Sequence, residues 1–251
     1  MMSTIAERRA VFRDLHRSGC FAIPNPWDGG SAIRLAGAGF KALASTSAGA
    51  AWALGKSDGE MIVEEVLDHL RFLCSVTDLP VNADFEAGFA DDAEGVARNV
   101  TRCVETGVAG LSIEDGHSGA LYPAEIAVER VRAARRAIDD TGENVVLVGR
   151  CEAYLMNPLD LDEVIKRLMA YSEAGADCLY APGLKNLDAV ARVVSAVDKP
   201  VNANLTGTGL SVSEMASVGV RRVSVGGALA RATYSALDTF VERLKSEGRL
   251  P

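Results

Sequence analysis

Chemistry in this chain starts at Pro80-Val81-Asn82-Ala83-Asp84-Phe85-Glu86-Ala87-Gly88-Phe89. The segment opens as a short apolar strand and ends in acids. Side chains alternate faces along a strand, so Asn82, Asp84 and Glu86 are expected on one face and Ala83 and Phe85 on the other. Two carboxylates this close repel unless a cation or water lies between them. Two further acids follow strand-like segments: Asp58 in Gly55-Lys56-Ser57-Asp58-Gly59 and Glu114 in Gly110-Leu111-Ser112-Ile113-Glu114-Asp115. Hard oxygen donors of this kind suit Mg²⁺, with Mn²⁺ the alternative. Magnesium keeps several waters, so Asp84, the last regular strand residue, is the expected direct ligand. Asp58, Glu86 and Glu114 then hold waters. The competing reading makes these acids solvated loop residues or helix caps, and Ser57-Asp58-Gly59-Glu60 also reads as a helix start.

Arg150 ends the apolar run Val145-Val146-Leu147-Val148-Gly149. A guanidinium there can grip a carboxylate or phosphonate through two parallel hydrogen bonds, or balance Glu152 or Glu114. A metal with an arginine would chelate an α-oxo acid and stabilise an enolate at its carbonyl oxygen. His117, in Asp115-Gly116-His117-Ser118-Gly119-Ala120, reads either as a general acid or base on a mobile lid or as a plain loop histidine. Cys151 adjoins Arg150 but faces away from it and is read as packing. His16 and His69 receive no role. Thr206-Gly207-Thr208-Gly209 and Gly226-Gly227 read as a phosphate cradle or as tight turns. The cradle would make the chain a phosphate-ester enzyme with no essential metal.

These residues need a frame. After a helix over residues 3–18, with Ile5, Phe12 and Leu15 on one face, eight apolar runs occur: 20–24, 41–45, 80–84, 110–114, 145–150, 178–181, 200–204 and 222–225. Segments of helical period separate them: 28–38, 59–76, 91–106, 124–141, 160–174, 186–197, 211–218 and 228–246. Gly39, Gly107, Gly175 and Gly219 each follow a helix, where a left-handed residue ends it. Pro80-Val81-Asn82-Ala83-Asp84 returns as Pro200-Val201-Asn202-Ala203-Asn204. Eight strand–helix units with no composition break predict an α/β fold, a single (β/α)8 barrel over residues 1–251 with an N-terminal helix. A doubly wound open sheet is the alternative. In a barrel the chemistry sits at the C-terminal strand ends. That rim carries Pro24-Asn25-Pro26-Trp27-Asp28, Ser45-Thr46-Ser47, Asp84 with Glu86, Glu114-Asp115, Arg150-Cys151-Glu152, Ala181-Pro182-Gly183, Asn202 with Asn204, and Gly226-Gly227.

A net charge of −8 excludes nucleic acid as the main partner, since phosphate neutralisation needs basic surface. The five cysteines are scattered without a CxxC pair, so neither a disulfide framework nor a zinc ribbon is expected. No apolar run approaches the ~20 residues of a membrane span. The charged N-terminus lacks a signal-peptide core, so a soluble cytoplasmic protein is expected.

Together, Pro24-Asn25-Pro26-Trp27-Asp28, Ser45-Thr46-Ser47-Ala48-Gly49, the Asp58 loop, the Asp84–Glu86 segment and the Glu114 strand make the chain resemble the isocitrate lyase/phosphoenolpyruvate mutase superfamily over nearly its full length. The resemblance implies a (β/α)8 barrel whose last helices are exchanged between subunits of a homodimer or homotetramer. It implies Mg²⁺ held by Asp84, with Asp58, Glu86 and Glu114 in support. It also implies an α-oxo acid or its enolate bound at Ser45-Thr46-Ser47 and by Arg150, and chemistry on C–C or P–C bonds beside that enolate. Asn202 joins the expected substrate-binding set. Arg150, Glu114 and His117 form the expected catalytic set, with Tyr122 a second candidate for the reprotonating acid. There are departures. Carbon–carbon lyases of the family carry a Lys-Arg-Cys-Gly-His type loop after the fourth strand, with a catalytic cysteine; here Gly116-His117-Ser118-Gly119-Ala120-Leu121-Tyr122 has neither cysteine nor lysine. The loop is also short and lacks the Asn-rich form of the phosphonate mutases. The resulting expectation is a Mg²⁺-dependent lyase that decarboxylates or cleaves a small α-oxo carboxylate through a metal-stabilised enolate. Phosphonopyruvate hydrolysis or mutation and a non-catalytic α-oxo acid-binding barrel are the alternatives.

Overall fold

Four of the strands are entered through the same device. Gly39, Gly107, Gly175 and Gly219 have φ of 88°, 93°, 104° and 92°, the left-handed conformation that glycine adopts without a Cβ clash. Each ends a helix and turns the chain into the next strand. The computed structural model describes residues 3–156 and 159–249. Met1, Met2, Asn157, Pro158, Leu250 and Pro251, which the 1–251 span includes, lie outside the described residues.

The elements run α1 (Ile5–Leu15), β1 (Phe21–Ile23), α2 (Gly29–Gly37), β2 (Leu43–Ala44), α3 (Ser47–Ala53), α4 (Val63–Val76), β3 (Val81–Asp84), α5 (Ala93–Glu105) and β4 (Gly110–Glu114). Then come β5 (Gly116–His117), β6 (Ala120–Leu121), α6 (Ala124–Asp140), β7 (Val146–Arg150), α7 (Ala153–Met156), α8 (Leu161–Glu173) and β8 (Cys178–Tyr180). The chain finishes with α9 (Leu187–Ala196), β9 (Val201–Asn204), α10 (Val212–Ser217), β10 (Arg222–Ser224) and α11 (Ala228–Glu247). Eight strands form one parallel sheet in the order β1-β10-β9-β8-β7-β4-β3-β2. The two ends meet: Ala44 N donates to Pro24 O at 3.0 Å, and Asn25 Nδ2 donates to Ser45 O at 2.9 Å. This nearly closed parallel barrel with outer helices is a (β/α)8 barrel, and the open doubly wound sheet is set aside.

The expected alternation holds on β3. Ala83 and Phe85 are fully buried in the layer between sheet and helices, with Leu67, Leu70 and Val100. Burying each large apolar side chain there contributes roughly 1.5–3 kcal/mol. Asn82 and Asp84 turn to the barrel axis and line its cavity. Phe12 of α1 joins Phe21, Ile23, Val146 and Val148 inside the barrel. Gly110 makes room for it, since a Cβ there would stand 2.6 Å from the Phe12 ring.

Several expectations need correction. The helix expected from Gly59 starts at Val63, because Gly59 has φ 84°, which no right-handed helix accepts. Asp58 is therefore not its cap. Ile5, expected on the buried face of the first helix, is 41% exposed, whereas Phe12 is fully buried. The short helices α3 and α7 were not expected. The loop after β4 is a β-hairpin, with Ser118 and Gly119 at φ 51° and 80° forming a two-residue turn of type I′ character.

Candidate active site at the carboxyl ends of the strands

Asp84 is the last residue of β3 and its carboxylate is held from two sides. Oδ2 accepts from Ser47 N at 3.0 Å, and Oδ1 accepts from Arg150 Nη1 at 3.0 Å. Its own N–H donates to Ser45 Oγ at 2.8 Å, leaving that hydroxyl hydrogen free. Ser45-Thr46-Ser47 is fixed because Thr46 caps α3, its side chain accepting from Gly49 N at 3.3 Å. A side chain on Gly49 would meet Thr46 and Trp27 at 2.7 and 2.8 Å. The rim serines thus sit where the strand turns into a helix at close packing distance.

Arg150 ends β7, paired in register with Glu114 of β4 and Tyr180 of β8. Nη1 bridges Asp84 and, at 3.2 Å, Glu114 Oε2, while Nε donates to Glu152 Oε1 at 2.5 Å. The guanidinium also lies over the Tyr180 ring, 5.4 Å from its centroid. One arginine therefore holds three carboxylates. Asp115, 2% exposed, anchors the third from behind: its Oδ1 accepts from Glu152 N at 2.7 Å, and its Oδ2 accepts from Arg167 and from the Tyr171 hydroxyl.

Glu86 lies just past β3 with φ 45°, so it leaves the strand's regular alternation. Its carboxyl is pushed up to about 8, first by burial, then by Asp84 and Asp58, with Arg150 opposing. Glu114 is raised well above the carboxylate range, again first by burial; Arg150 opposes, and Glu152, Asp84 and Glu86 add to the rise. Asp58, Glu86, Glu114 and Arg150 line one recess together with His117. The structure thus brings together every acid expected from the sequence. His117 stands on the hairpin, exposed, its ring stacked on Tyr122 at 6.4 Å between centroids. The Arg130 guanidinium also lies over the Tyr122 ring, 4.4 Å from its centroid.

Ser45, Thr46, Ser47, Asp84, Arg150 and Asn202 line an adjoining cavity of about 220 Å³ that descends into the barrel. Asn202 reaches it with both ends of its amide engaged: Oδ1 accepts from Arg222, and Nδ2 donates to Ser224 Oγ. Of the expected Gly226-Gly227 cradle, the Gly226 N–H is already engaged: it donates to Asn25 Oδ1 at 2.9 Å, as the Val225 N–H does at 3.0 Å. Cys151 is fully buried in the outer layer, as expected of packing. Sequence reasoning gave no role to Tyr180 or Arg222; the alternation on β8 and β10 was the signal that puts both inside the barrel.

The donor set can be tested against a divalent cation. It offers oxygen only, and burial together with the neighbouring carboxylates raises Glu86 and Glu114, a crowding of acid groups that a divalent cation would relieve. Among the described residues no three acidic, histidine or cysteine groups are grouped as a direct coordination shell. One direct carboxylate with water-mediated neighbours fits this spacing, and it is the manner in which Mg²⁺ binds.

A (β/α)8 barrel with an acidic, arginine-bridged rim defines the class. The family model described as phosphoenolpyruvate phosphomutase matches residues 12–245. The chain is 32% identical over 226 residues to the 2-methylisocitrate lyase of Escherichia coli, covering 84% of this chain and 75% of that one. It is 30% identical over 250 residues to the oxaloacetate decarboxylase of Pseudomonas putida, covering 91% and 83%. Among solved structures, a Burkholderia cenocepacia protein of provisional lyase/mutase assignment superimposes with a TM-score of 0.95 at 44% identity, covering 98% of this chain and 91% of that one. The chain belongs to the phosphoenolpyruvate mutase/isocitrate lyase superfamily.

Proposed function

We propose that the protein is a Mg²⁺-dependent lyase acting on a small α-oxo carboxylate, by decarboxylation or C–C cleavage through an enolate. The observation that carries this reading is the convergence of Asp84, Glu86, Glu114 and Arg150 from three strands at one rim, beside a cavity lined by serine hydroxyls. Asp84 would hold the metal, with Asp58, Glu86 and Glu114 ordering its waters. A bound Mg²⁺ supplies Lewis acidity toward a carbonyl oxygen, with Mn²⁺ the substitute. Arg150 keeps N–H groups beyond those given to Asp84, Glu114 and Glu152, and with Ser45, Thr46 and Ser47 it orients the substrate carboxylate. Asn202 holds the cavity floor. When the C3–C4 bond of a 2-oxo acid carrying a C4 carboxylate breaks, its electrons move through C3 to the C2 carbonyl oxygen and C4 leaves as CO₂. A proton then returns to C3, and His117 on the hairpin is the proposed donor, with Tyr122 the second candidate.

The names of the two enzyme relatives, a C–C lyase and a decarboxylase, support the reaction class. A panel of α-oxo acids tests it. Pyruvate or CO₂ should appear from oxaloacetate or a related acid, stop in EDTA and resume with Mg²⁺. Inorganic phosphate from phosphonopyruvate would instead assign P–C chemistry. Stabilisation by oxalate with Mg²⁺, without turnover of any acid, would leave a binding barrel.

A homodimer or homotetramer with exchanged last helices is part of this proposal. Leu237, Phe240, Val241 and Leu244 form an exposed apolar stripe on α11, at 54%, 44%, 49% and 49% exposure. Light scattering tests it, and a monomer at micromolar concentration would refute it.

A further inference from the structure

The cavity does not stop at Asp84. It runs down between the strands past Asn82, Ser112, Asn202 and Ser224 to Arg222. Arg222 opens β10 and is 3% exposed. Its Nε donates to Asn202 Oδ1 at 2.9 Å and its Nη1 to Asn82 Oδ1 at 3.2 Å. The Phe12 ring lies 5.9 Å away. A guanidinium carries five N–H donors, so three are not used by these bonds.

The other buried arginines are treated differently. Arg8 ends on the carbonyls of Cys74 and Thr77. Arg9 ends on those of Val104 and Val108 and pairs with Glu143. Arg130 ends on those of Ala87, Ala90 and Asp91. Arg222 has two side-chain amides and, among the described residues, no carboxylate. A buried cation without a counter-charge is costly. Burial pulls this guanidinium below its ordinary value. His16, packed nearby, is held down to about 4 by burial and then by Arg222, so it is neutral at pH 7 and does not offset the guanidinium charge.

We propose that Arg222, with Asn82, Asn202 and Ser224 around it, is an oxyanion subsite at the floor of the cavity that takes a carboxylate. Asn82 and Asp84 share one face of β3 and each holds one arginine, Arg222 and Arg150. The two-residue step puts these guanidinium groups roughly 7 Å apart along the strand. A four-carbon acid with a carboxylate at each end spans that interval. The carboxylate has two possible sources, the second acid group of the substrate or a separate small anion. The first source rests on the α-oxo acid reading above; the second does not.

The test is calorimetric titration of the full chain in Mg²⁺ with malate, 2-hydroxybutanoate and formate. Malate and 2-hydroxybutanoate share a skeleton and differ in a carboxylate or a methyl at C4, and neither is a 3-oxo acid that can lose CO₂. The wild type should bind malate at least about ten-fold more tightly than 2-hydroxybutanoate, the scale of a charge-assisted hydrogen bond. Arg222→Met should reduce that preference below about three-fold, with Arg222→Lys intermediate. Formate should bind saturably to wild type and not to Arg222→Met. Formate competing with malate but not with 2-hydroxybutanoate assigns the site to the substrate. Formate binding beside malate assigns it to a free anion. These competition experiments use wild type alone, so they decide the matter even where Arg222→Met fails to fold. Absence of both the malate preference and saturable formate binding in wild type overturns the proposal, as does their persistence in Arg222→Met. If Mg²⁺ adds nothing to 2-hydroxybutanoate binding, the rim reading fails, while formate still reports on the floor.

Discussion

Replacing Arg150 with methionine removes the one cation that Asp84, Glu114 and Glu152 share. The four side chains are 17%, 17%, 12% and 4% exposed, in the order Arg150, Asp84, Glu114 and Glu152, so solvent screens them little. Truncating one member of such a buried cluster costs roughly 3–5 kcal/mol. At this chain length that is a fall in Tm of about 6–20 °C. The size must depend on pH. Arg150 opposes the rise of both Glu86 and Glu114, so the variant raises both further. An acid raised in the folded state holds a proton there that the unfolded chain, at about 4.3, has already lost. The folded state binds more protons between those values, and stability falls as pH rises through the folded value. The Arg150→Met loss should therefore be large at pH 8.5, above the value of about 8 for Glu86, and shrink at pH 5.5, where Glu86 holds its proton. Thermal melts of metal-free protein at the two pH values measure it, and Mg²⁺ added at pH 8.5 should return part of the loss. An equal Tm deficit at both pH values, or none at pH 8.5, would show that the arginine is not the counter-charge described.

Asp84→Asn should lower turnover by more than roughly 100-fold and abolish the Mg²⁺-dependent rise in Tm, since it takes the charge from the expected direct ligand; unchanged Mg²⁺ stabilisation would place the metal elsewhere. Gly149→Ala should cost about 1–3 kcal/mol in urea unfolding, because the added Cβ lies 2.8 Å from Tyr171 Cβ and 3.2 Å from Ala176. Arg130→Met strands the carbonyls of Ala87, Ala90 and Asp91, now at 2.5, 2.7 and 3.1 Å from its nitrogens. It should destabilise by at least ~2 kcal/mol and speed hydrogen exchange over residues 87–92, while unchanged exchange would refute that anchoring.

The rim was legible because strand ends and side-chain alternation are local properties. Asp84, Glu114 and Arg150 each finish an apolar run, and the barrel topology then requires such ends to meet. The floor was not legible for the same reason turned round. Arg221-Arg222 opens a strand and reads as a basic surface doublet, but alternation sends Arg221 out to the Gly19 carbonyl and Arg222 into the barrel. Only the partner amides, Asn82 and Asn202 on two other strands, show where the inward one ends. Tyr180 was hidden in a three-residue strand. The helix α3 was missed because Ser47-Ala48-Gly49-Ala50-Ala51 lacks the apolar contrast from which a helical period is read. Glu86 was placed by assuming regular alternation through a residue that in fact has positive φ.

The hairpin bears on which bond such a site can break. Retro-aldol cleavage needs a base to take a hydroxyl proton as the bond breaks, and an acid for the departing carbanion. Loss of CO₂ from a 3-oxo acid needs neither in the bond-breaking step, only a place for the electron pair and a later proton on carbon. Residues 116–122 contain no cysteine or lysine, and their titratable side chains, His117 and Tyr122, are committed to each other and to Arg130 by stacking. The rim supplies the Arg150 guanidinium, which Asp84, Glu114 and Glu152 already engage, and the hairpin carries one imidazole, His117, in the adjoining recess. On the proposed reading this asymmetry favours decarboxylation over aldol-type cleavage. His117→Ala should then slow release of protonated product more than release of CO₂, and equal slowing of both would return proton transfer to the bond-breaking step.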